Sequence, residues 1–137
     1  MGKLHRITKM IDFCYGHRLL NYDGKCRYLH GHNGRIEVDL ESKELDRLGM
    51  VLDFGVVKDV MRTWIDNNLD HRMLLCSADP YVPILKAQGE PLFLMDENPT
   101  AENIAKVIFQ HGSRAGLPIT EIRLWETPTS YAAYRES

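Results

Sequence analysis

Residues 33–41 alternate between polar and apolar side chains, and this pattern limits the possible folds of the 137-residue chain more than any other feature. Ile36, Val38 and Leu40 fall on one side of an extended chain, and charged residues stand between them. In a helix, Val38 would point away from the other two. The segment therefore predicts a strand with one face against a core and the other against polar groups.

Three more segments follow the same period of two and predict strands. They are residues 3–15, 119–126 and 131–134. In the middle of the chain, residues 56–69 and 98–116 carry apolar side chains at the i, i+3 and i+4 spacing of a helix that packs one stripe on a sheet. Asp53 is placed to start or cap the first helix. Asn98 is expected to cap the second, with Pro99 at its first position.

The order strand, strand, helix, helix, strand, strand predicts an α+β fold, with an antiparallel four-stranded sheet and two helices on one face. Residues 72–97 contain three prolines and one glycine. This composition favours a long loop, as a flap or a contact between subunits, with one helical turn near 81–87. The length predicts a single domain, residues 1–137. The two open edges of such a sheet favour edge-to-edge assembly into a larger barrel.

Composition excludes several classes of partner. The 17 basic and 19 acidic residues give a net charge of -2, so no overall basic field directs the protein to nucleic acid or to a membrane. Long apolar runs and a signal-peptide hydrophobic region are absent from the sequence, which predicts a cytoplasmic protein.

The three cysteines are an odd number in a chain large enough to fold without disulfides. At least one of them could be a working thiol or a ligand.

A His-Gly-His triplet at the start of the second strand indicates a metal site. His30 and His32 project from the same face of a strand, roughly 6–7 Å apart, and can converge on one ion. If the first two strands form a hairpin, His17 returns to the same corner. Three histidines leave the fourth position of Zn²⁺ open for substrate or water, as in catalytic zinc sites. The alternative for His30 and His32 is two exposed histidines on a turn.

Four other residues are candidates for chemistry beside the metal. Cys26 is flanked by two basic residues that favour its thiolate; it could be a base or nucleophile, a fourth ligand that makes the site structural, or an incidental loop cysteine. Asp70 and His71 could form an acid/base pair, or the histidine could serve only the helix dipole. Glu126 could accept two N–H bonds from a guanidine-like edge of a heterocycle, or lie on the rim of the sheet.

These residues stand in motifs that resemble those of the family of 6-pyruvoyl-tetrahydropterin synthase and the 6-carboxy-tetrahydropterin synthase of the queuosine pathway. The resemblance runs through nearly the whole chain. Its six motifs occur in order at residues 13–17, 26–33, 52–55, 69–71, 98–103 and 125–127. One such motif would be weak support, whereas six in order are specific.

The resemblance implies zinc binding by His17, His30 and His32, proton transfer by Cys26, Asp70 and His71, and anchoring of a pterin ring by Glu126. It also implies a tunnelling fold whose sheets join edge to edge into trimers, two of which stack as a homohexamer with active sites between subunits. The implied reaction is a zinc-dependent lyase conversion of 7,8-dihydroneopterin triphosphate to 6-carboxy-5,6,7,8-tetrahydropterin, with release of acetaldehyde and triphosphate. The alternatives are 6-pyruvoyl-tetrahydropterin synthase and a non-catalytic zinc- or pterin-binding oligomer.

The sequence departs from the family pattern at two places near the histidines. Family members often have Phe-x-Ala-Ala-His, but here Tyr15 and Gly16 precede His17. They also often have an aromatic residue after His-Gly-His-Asn, where this chain has Gly34. Residues 72–97 are longer than in compact members. The expected zinc ligands are intact, so these departures concern the shape of the pocket and the choice of substrate.

Overall fold

Two long antiparallel strands form the centre of the sheet in the computed structural model, which describes residues 2–136. The elements follow in the order β1 (His5–His17), a 3-10 turn (Lys25–Arg27), β2 (His30–Ser42), α1 (Phe54–Asn68), β3 (Arg72–Cys76), α2 (Tyr81–Ala87), β4 (Leu92–Met95), α3 (Ala101–Arg114), β5 (Ile119–Thr127) and β6 (Ser130–Tyr134). The strands form one sheet in the order β4-β3-β1-β2-β5-β6. No helix within the described residues is long and apolar enough to cross a membrane.

One core joins the sheet to the two long helices. Alternate residues of β1, β2 and β5 pack against a stripe of α1 and α3, and their buried members include Ile11, Phe13, Ile36, Val38, Leu40, Met61, Ile65, Ile104, Ile108, Ile122 and Leu124. The alternation that predicted β2 therefore reflects a strand with one buried face. The opposite face is polar: the Arg123 guanidinium contacts the carboxylates of Glu37 and Asp39 there.

The α+β fold is confirmed, but the prediction of a four-stranded antiparallel sheet was wrong. Residues 72–97 form β3, α2 and β4 instead of a long loop, and α2 includes the helical turn expected near 81–87. β3 pairs parallel with both β1 and β4, so the six-stranded sheet is mixed. These strands are only five and four residues long. In β3, the consecutive residues Leu74 and Leu75 are both buried, so the segment lacks the period of two.

The start of α3 also differs from the prediction. Thr100 is the N-cap, and its side chain accepts a hydrogen bond from the Asn103 N–H. The Asn98 side chain instead bonds the backbone of Leu20, accepting from its N–H at 2.8 Å and donating to its carbonyl at 2.9 Å. This ties the approach to α3 to the chain just beyond β1. Asp53 caps α1 as predicted.

Candidate active site

His17, His30 and His32 bring their rings together at one end of the helix-covered face of the sheet. One ligand nitrogen of each lies within 4.8 Å of the other two. The Nε2 atoms of His17 and His32 are 3.2 Å apart. Strand pairing produces this cluster, because His17 lies directly opposite His30 and His32 follows two residues later on the same face. The predicted hairpin is present, and the three histidines could hold a metal ion.

Backbone carbonyls orient two of the three rings. Nδ1 of His17 lies 2.6 Å from the Pro99 carbonyl, and Nδ1 of His30 lies 2.7 Å from the Tyr28 carbonyl. A carbonyl only accepts, so each Nδ1 carries the proton and each Nε2 presents a lone pair. Burial lowers the pKa of His17, which favours the neutral ring that a metal requires.

The spacing of these nitrogens fits zinc. Two nitrogens bound to one tetrahedral zinc ion at about 2.0–2.1 Å each would lie roughly 3.3 Å apart. The observed separation between His17 and His32 is 3.2 Å. Three imidazoles, two of them with carbonyl partners at Nδ1, are a donor set that zinc accepts, and three ligands leave one coordination position open.

Glu126, near the end of β5, lies beside the histidines. Its Oε2 is 3.5 Å from Nε2 of His17 and 3.7 Å from Nε2 of His32. The same oxygen accepts a hydrogen bond of 2.5 Å from the Tyr15 hydroxyl. Within residues 2–136, Oε1 makes no hydrogen bond, and the side chain is 25% exposed. Glu126 therefore has one oxygen held by the Tyr15 hydroxyl and one without a hydrogen-bond partner among the described residues.

Tyr15 is a component of the site that the sequence motifs did not indicate. Its ring is 3% exposed and lies 5.3 Å from the His17 ring and 5.6 Å from the His32 ring, between centroids. Burial, and then the Glu126 carboxylate, raise the pKa of the Tyr15 phenol above its usual value, so the phenol stays a donor. The only signal in the sequence was the departure from the family pattern at this position.

Asp70 and His71 form a hydrogen-bonded pair between α1 and β3. Nδ1 of His71 lies 2.8 Å from Oδ2 of Asp70. The other carboxylate oxygen accepts from the Cys14 N–H at 2.9 Å, and the Cys14 carbonyl accepts from the His71 N–H at 2.7 Å. Burial raises the pKa of Asp70, but the donors from Cys14 and His71 outweigh it and hold the pKa below its ordinary value.

Within one chain, Cys26 contacts neither the histidine cluster nor the Asp70–His71 pair. It lies in the 3-10 turn, where its carbonyl accepts from the Leu19 N–H at 2.8 Å. Among the described residues, its thiol is not part of the histidine cluster that could hold a metal ion. Asp70 and His71 bond Cys14 rather than Cys26. The three residues predicted to transfer protons are therefore not assembled in one chain.

A buried ion pair supports the turn that carries Cys26. Arg18 makes two bonds of 2.7 Å to the carboxylate of Asp79, which is 2% exposed. Its guanidinium also donates to the Arg27 carbonyl at 3.0 Å and lies 4.0 Å from the centre of the Tyr81 ring. The 72–97 segment thus contributes to the position of the Cys26 turn.

Two cavities meet at Cys14. One, of about 440 Å³, is bordered by His30, His32 and His71. The other, of about 790 Å³, is bordered by Asp70 and Trp125 and lies toward the charged face of the sheet. Cys26 borders neither of them. One chain therefore presents its histidines and its Asp70–His71 pair to adjoining spaces, with the thiol elsewhere.

Comparison with known proteins agrees with the resemblance inferred from the motifs. The sequence model described as 6-pyruvoyl tetrahydropterin synthase matches residues 6–137. The chain belongs to this family. Among its relatives, the 6-carboxy-5,6,7,8-tetrahydropterin synthase of Rickettsia bellii is 36% identical, over 92% of this chain and 96% of its own length. The synthase of the same name from Haemophilus influenzae is 32% identical, over 97% and 100%.

Solved structures confirm the tetrahydropterin synthase fold. An uncharacterised protein from Wolinella succinogenes superposes with a TM-score of 0.81 at 27% identity, covering 99% of this chain and 100% of its own. The 6-pyruvoyl tetrahydropterin synthase of Caenorhabditis elegans shares the fold with a TM-score of 0.71 at 24% identity, over 99% and 98%. The prediction that the chain is an enzyme of the tetrahydropterin synthase family is confirmed by its named relatives.

Proposed function

We propose that this tetrahydropterin synthase is a zinc-dependent lyase that converts 7,8-dihydroneopterin triphosphate to 6-carboxy-5,6,7,8-tetrahydropterin, with release of acetaldehyde and triphosphate, in queuosine biosynthesis. The observation that carries the proposal is the convergence of three histidine nitrogens within 4.8 Å. The 6-carboxy product is favoured over the 6-pyruvoyl product by the names of the relatives that are 32% and 36% identical.

The histidines and Glu126 are the binding groups in this proposal. His17, His30 and His32 hold zinc with one position open, and the metal, when bound, polarises the side-chain hydroxyls of the substrate and makes the neighbouring C–H bonds more acidic. Glu126 accepts N–H bonds from the guanidine-like edge of the pterin ring. Its location 3.5 Å from Nε2 of His17 supports this role, because ring and side chain of one substrate must reach both groups.

Cys26, Asp70 and His71 are the proposed proton carriers. Asp70 accepts from Nδ1 of His71, which leaves Nε2 of that ring to exchange a proton with the substrate. The Cys26 thiolate takes and returns a proton on the reacting side chain. Because Cys26 lies apart from the pair within one chain, we place the complete site between subunits.

The proposed assembly is a homohexamer of two stacked trimers, with residues 1–137 as a single-domain protomer. The open edge strands β4 and β6 support it, since unpaired edges are where sheets of neighbouring copies can join. The cytoplasmic location stays a prediction from the sequence.

The deciding experiment is mass spectrometry of the pterins formed when zinc-loaded protein is incubated with 7,8-dihydroneopterin triphosphate. We expect 6-carboxy-5,6,7,8-tetrahydropterin together with acetaldehyde. A 6-pyruvoyl product would overturn the proposal in favour of 6-pyruvoyl-tetrahydropterin synthase activity. Unchanged substrate from protein with verified zinc content would reject both.

A Cys26→Ala variant separates the enzyme from a non-catalytic zinc- or pterin-binding oligomer. We expect full zinc content with lost turnover, because Cys26 lies outside the histidine cluster. Lost zinc would show that the cysteine closes the metal shell and that the site is structural. Cys76→Ala is the matched control: that thiol is also free, and its carbonyl partner, Asp96, lies outside the site.

A further inference from the structure

Tyr15 and Gly34 fit together across the first two strands. A Cβ atom placed on Gly34 would lie 2.9 Å from Cε1 of Tyr15, closer than non-bonded carbons approach. The register pairs Gly34 with Phe13 and Tyr15 with His32, so the Tyr15 ring crosses diagonally over the glycine. Gly34 has no positive φ angle, so its backbone does not require glycine. The ring of Tyr15 accounts for the missing side chain.

The Tyr15 hydroxyl contacts one oxygen of the Glu126 carboxylate. It donates to Oε2 of Glu126 at 2.5 Å, and all other contacts of that carboxylate with the histidines also use Oε2. The ring is packed on several sides, because Tyr15 is 3% exposed and its ring stacks on Phe13 with centroids 5.2 Å apart. A buried donor therefore holds Oε2, while Oε1 has no hydrogen-bond partner within residues 2–136.

We propose that Tyr15 is a positioning residue that holds Glu126 by Oε2, so that Oε1 meets the N–H edge of a bicyclic heterocycle, and that Gly34 provides the space its ring occupies. The inference rests on the proposed function, because it takes Glu126 as the group that receives the ring. A carboxylate fixed in advance loses less freedom on binding, and so binds a ligand more tightly than a mobile one.

The two positions also explain each other's departure from the family pattern. An aromatic residue at position 34 and one at position 15 would compete for the same space, because the first added carbon already meets the Tyr15 ring. This chain supplies its aromatic ring from β1, and that ring carries a hydroxyl which reaches Glu126.

The first test removes only the hydroxyl, in Tyr15→Phe. We expect KM for 7,8-dihydroneopterin triphosphate to rise roughly tenfold with kcat within about twofold, since the lost bond acts on binding. The dissociation constant of pterin-6-carboxylate, measured by fluorescence titration, should rise by the same factor with zinc content unchanged. The matched control is Tyr134→Phe, which removes a phenol from an equally short bond to exposed Glu136 and should change neither value.

A double-mutant cycle shows whether Tyr15 acts through Glu126. In a Glu126→Gln background, Tyr15→Phe should add little to the loss of pterin affinity, because the carboxylate that it orients is gone. Additive losses would mean that the hydroxyl acts on the ligand by another route and would overturn the inference.

The second test moves the aromatic ring from position 15 to position 34. Gly34→Phe alone should lower the melting temperature through the clash, and Tyr15→Ala alone should lower it by opening a cavity. The double variant Tyr15→Ala with Gly34→Phe should be more stable than either single variant, yet keep the raised KM because it lacks the hydroxyl. A double variant no more stable than the worse single variant would contradict the pairing.

The outcomes separate the two proposals. An active wild type with an unchanged KM and pterin affinity in Tyr15→Phe would overturn this inference and leave the proposed function in place. Lost zinc in Tyr15→Phe would also overturn it, since the hydroxyl would then support the metal site. A wild type that neither binds pterin-6-carboxylate nor turns over the triphosphate would reject the proposed function, and the positioning role with it.

Discussion

The histidine cluster and the Asp70–His71 pair differ in how much of their surroundings one chain supplies. His17 is 3% exposed, and its ring is held by the Pro99 carbonyl. The side chain of His71 is 78% exposed, and Asp70 is its one hydrogen-bond partner within residues 2–136. The three histidines are brought together within one chain, whereas the His71 ring is anchored by Asp70 and otherwise exposed. The proposed metal binding therefore needs only one chain, and the proposed proton transfer needs a second one.

We expect the largest effect from a substitution in the histidine cluster, whose three side chains all come from one chain. His17→Ala removes a proposed ligand whose Nε2 lies 3.2 Å from that of His32, and we expect a protein without stoichiometric zinc and with turnover at the background rate. Zinc content by mass spectrometry and the product assay measure both losses. His5→Ala, at the exposed start of β1, should change neither value. Full zinc content in His17→Ala would place the metal elsewhere.

Mixed variants can show whether the Asp70–His71 pair works with Cys26 of another subunit. Cys26→Ala and His71→Ala should each lower turnover by about 10²–10⁴-fold, the range of positioned proton transfer, without loss of zinc. After the two variants are unfolded or dissociated together and reassembled, the mixture should recover part of the activity, because some sites then combine an intact Cys26 with an intact His71. Activity is measured as product formed per zinc.

The matched control for the mixing experiment is Cys26→Ala reassembled with the double variant Cys26→Ala, His71→Ala. No combination of those chains contains an intact Cys26, so the mixture should stay inactive. If the first mixture were no more active than its components, a site shared between subunits would be ruled out.

A smaller effect is expected when only the orientation of His71 is changed. In Asp70→Asn, the amide N–H₂ can replace the oxygen that accepts from Nδ1, which reverses the tautomer of the ring. We expect kcat to fall by about 10²-fold, with zinc content unchanged. Asp66→Asn, which alters an exposed pair with Arg62, is the control. Zinc loss in Asp70→Asn would show that the two groups are not independent.

The smallest effect on the site should come from the ion pair beneath the Cys26 turn. Burial raises the pKa of Asp79, but Arg18 outweighs it and the pKa lies below its ordinary value. The stability from this pair is therefore present above the unfolded pKa of about 3.9 and lost as pH falls through the folded pKa. Asp79→Ala should cost about 3–5 kcal/mol at pH 7, since it leaves Arg18 unpaired.

Urea unfolding measures this loss, and the difference between wild type and Asp79→Ala should shrink as the pH is lowered toward 3. Zinc content at pH 7 should be retained in the folded variant, because the histidine carbonyl partners lie elsewhere. Turnover should fall moderately through the loosened Cys26 turn. A difference in stability that did not change with pH would contradict the ion-pair assignment.

The sequence predicted the elements whose signal is local. The period of two identified β1, β2, β5 and β6, and the helical spacing identified α1 and α3. It also brought the three histidines to one corner, because antiparallel pairing of two predicted strands follows from the order of the elements. These features depend on which neighbours along the chain are apolar, and the sequence contains that information directly.

The tertiary structure alone decided the features that depend on distant residues. β3 and β4 are strands because β1 offers a parallel edge, and their short buried segments carry no period that could reveal it. Asn98 bonds Leu20 instead of capping α3, since the chain after β1 offers both backbone partners there.

The contact of Tyr15 with Glu126 joins residues 111 positions apart. The sequence by itself determined the local periodicity and the set of reactive side chains. Which of those side chains touch was decided by strand register and packing, because contact energies between distant residues exist only once the sheet has formed.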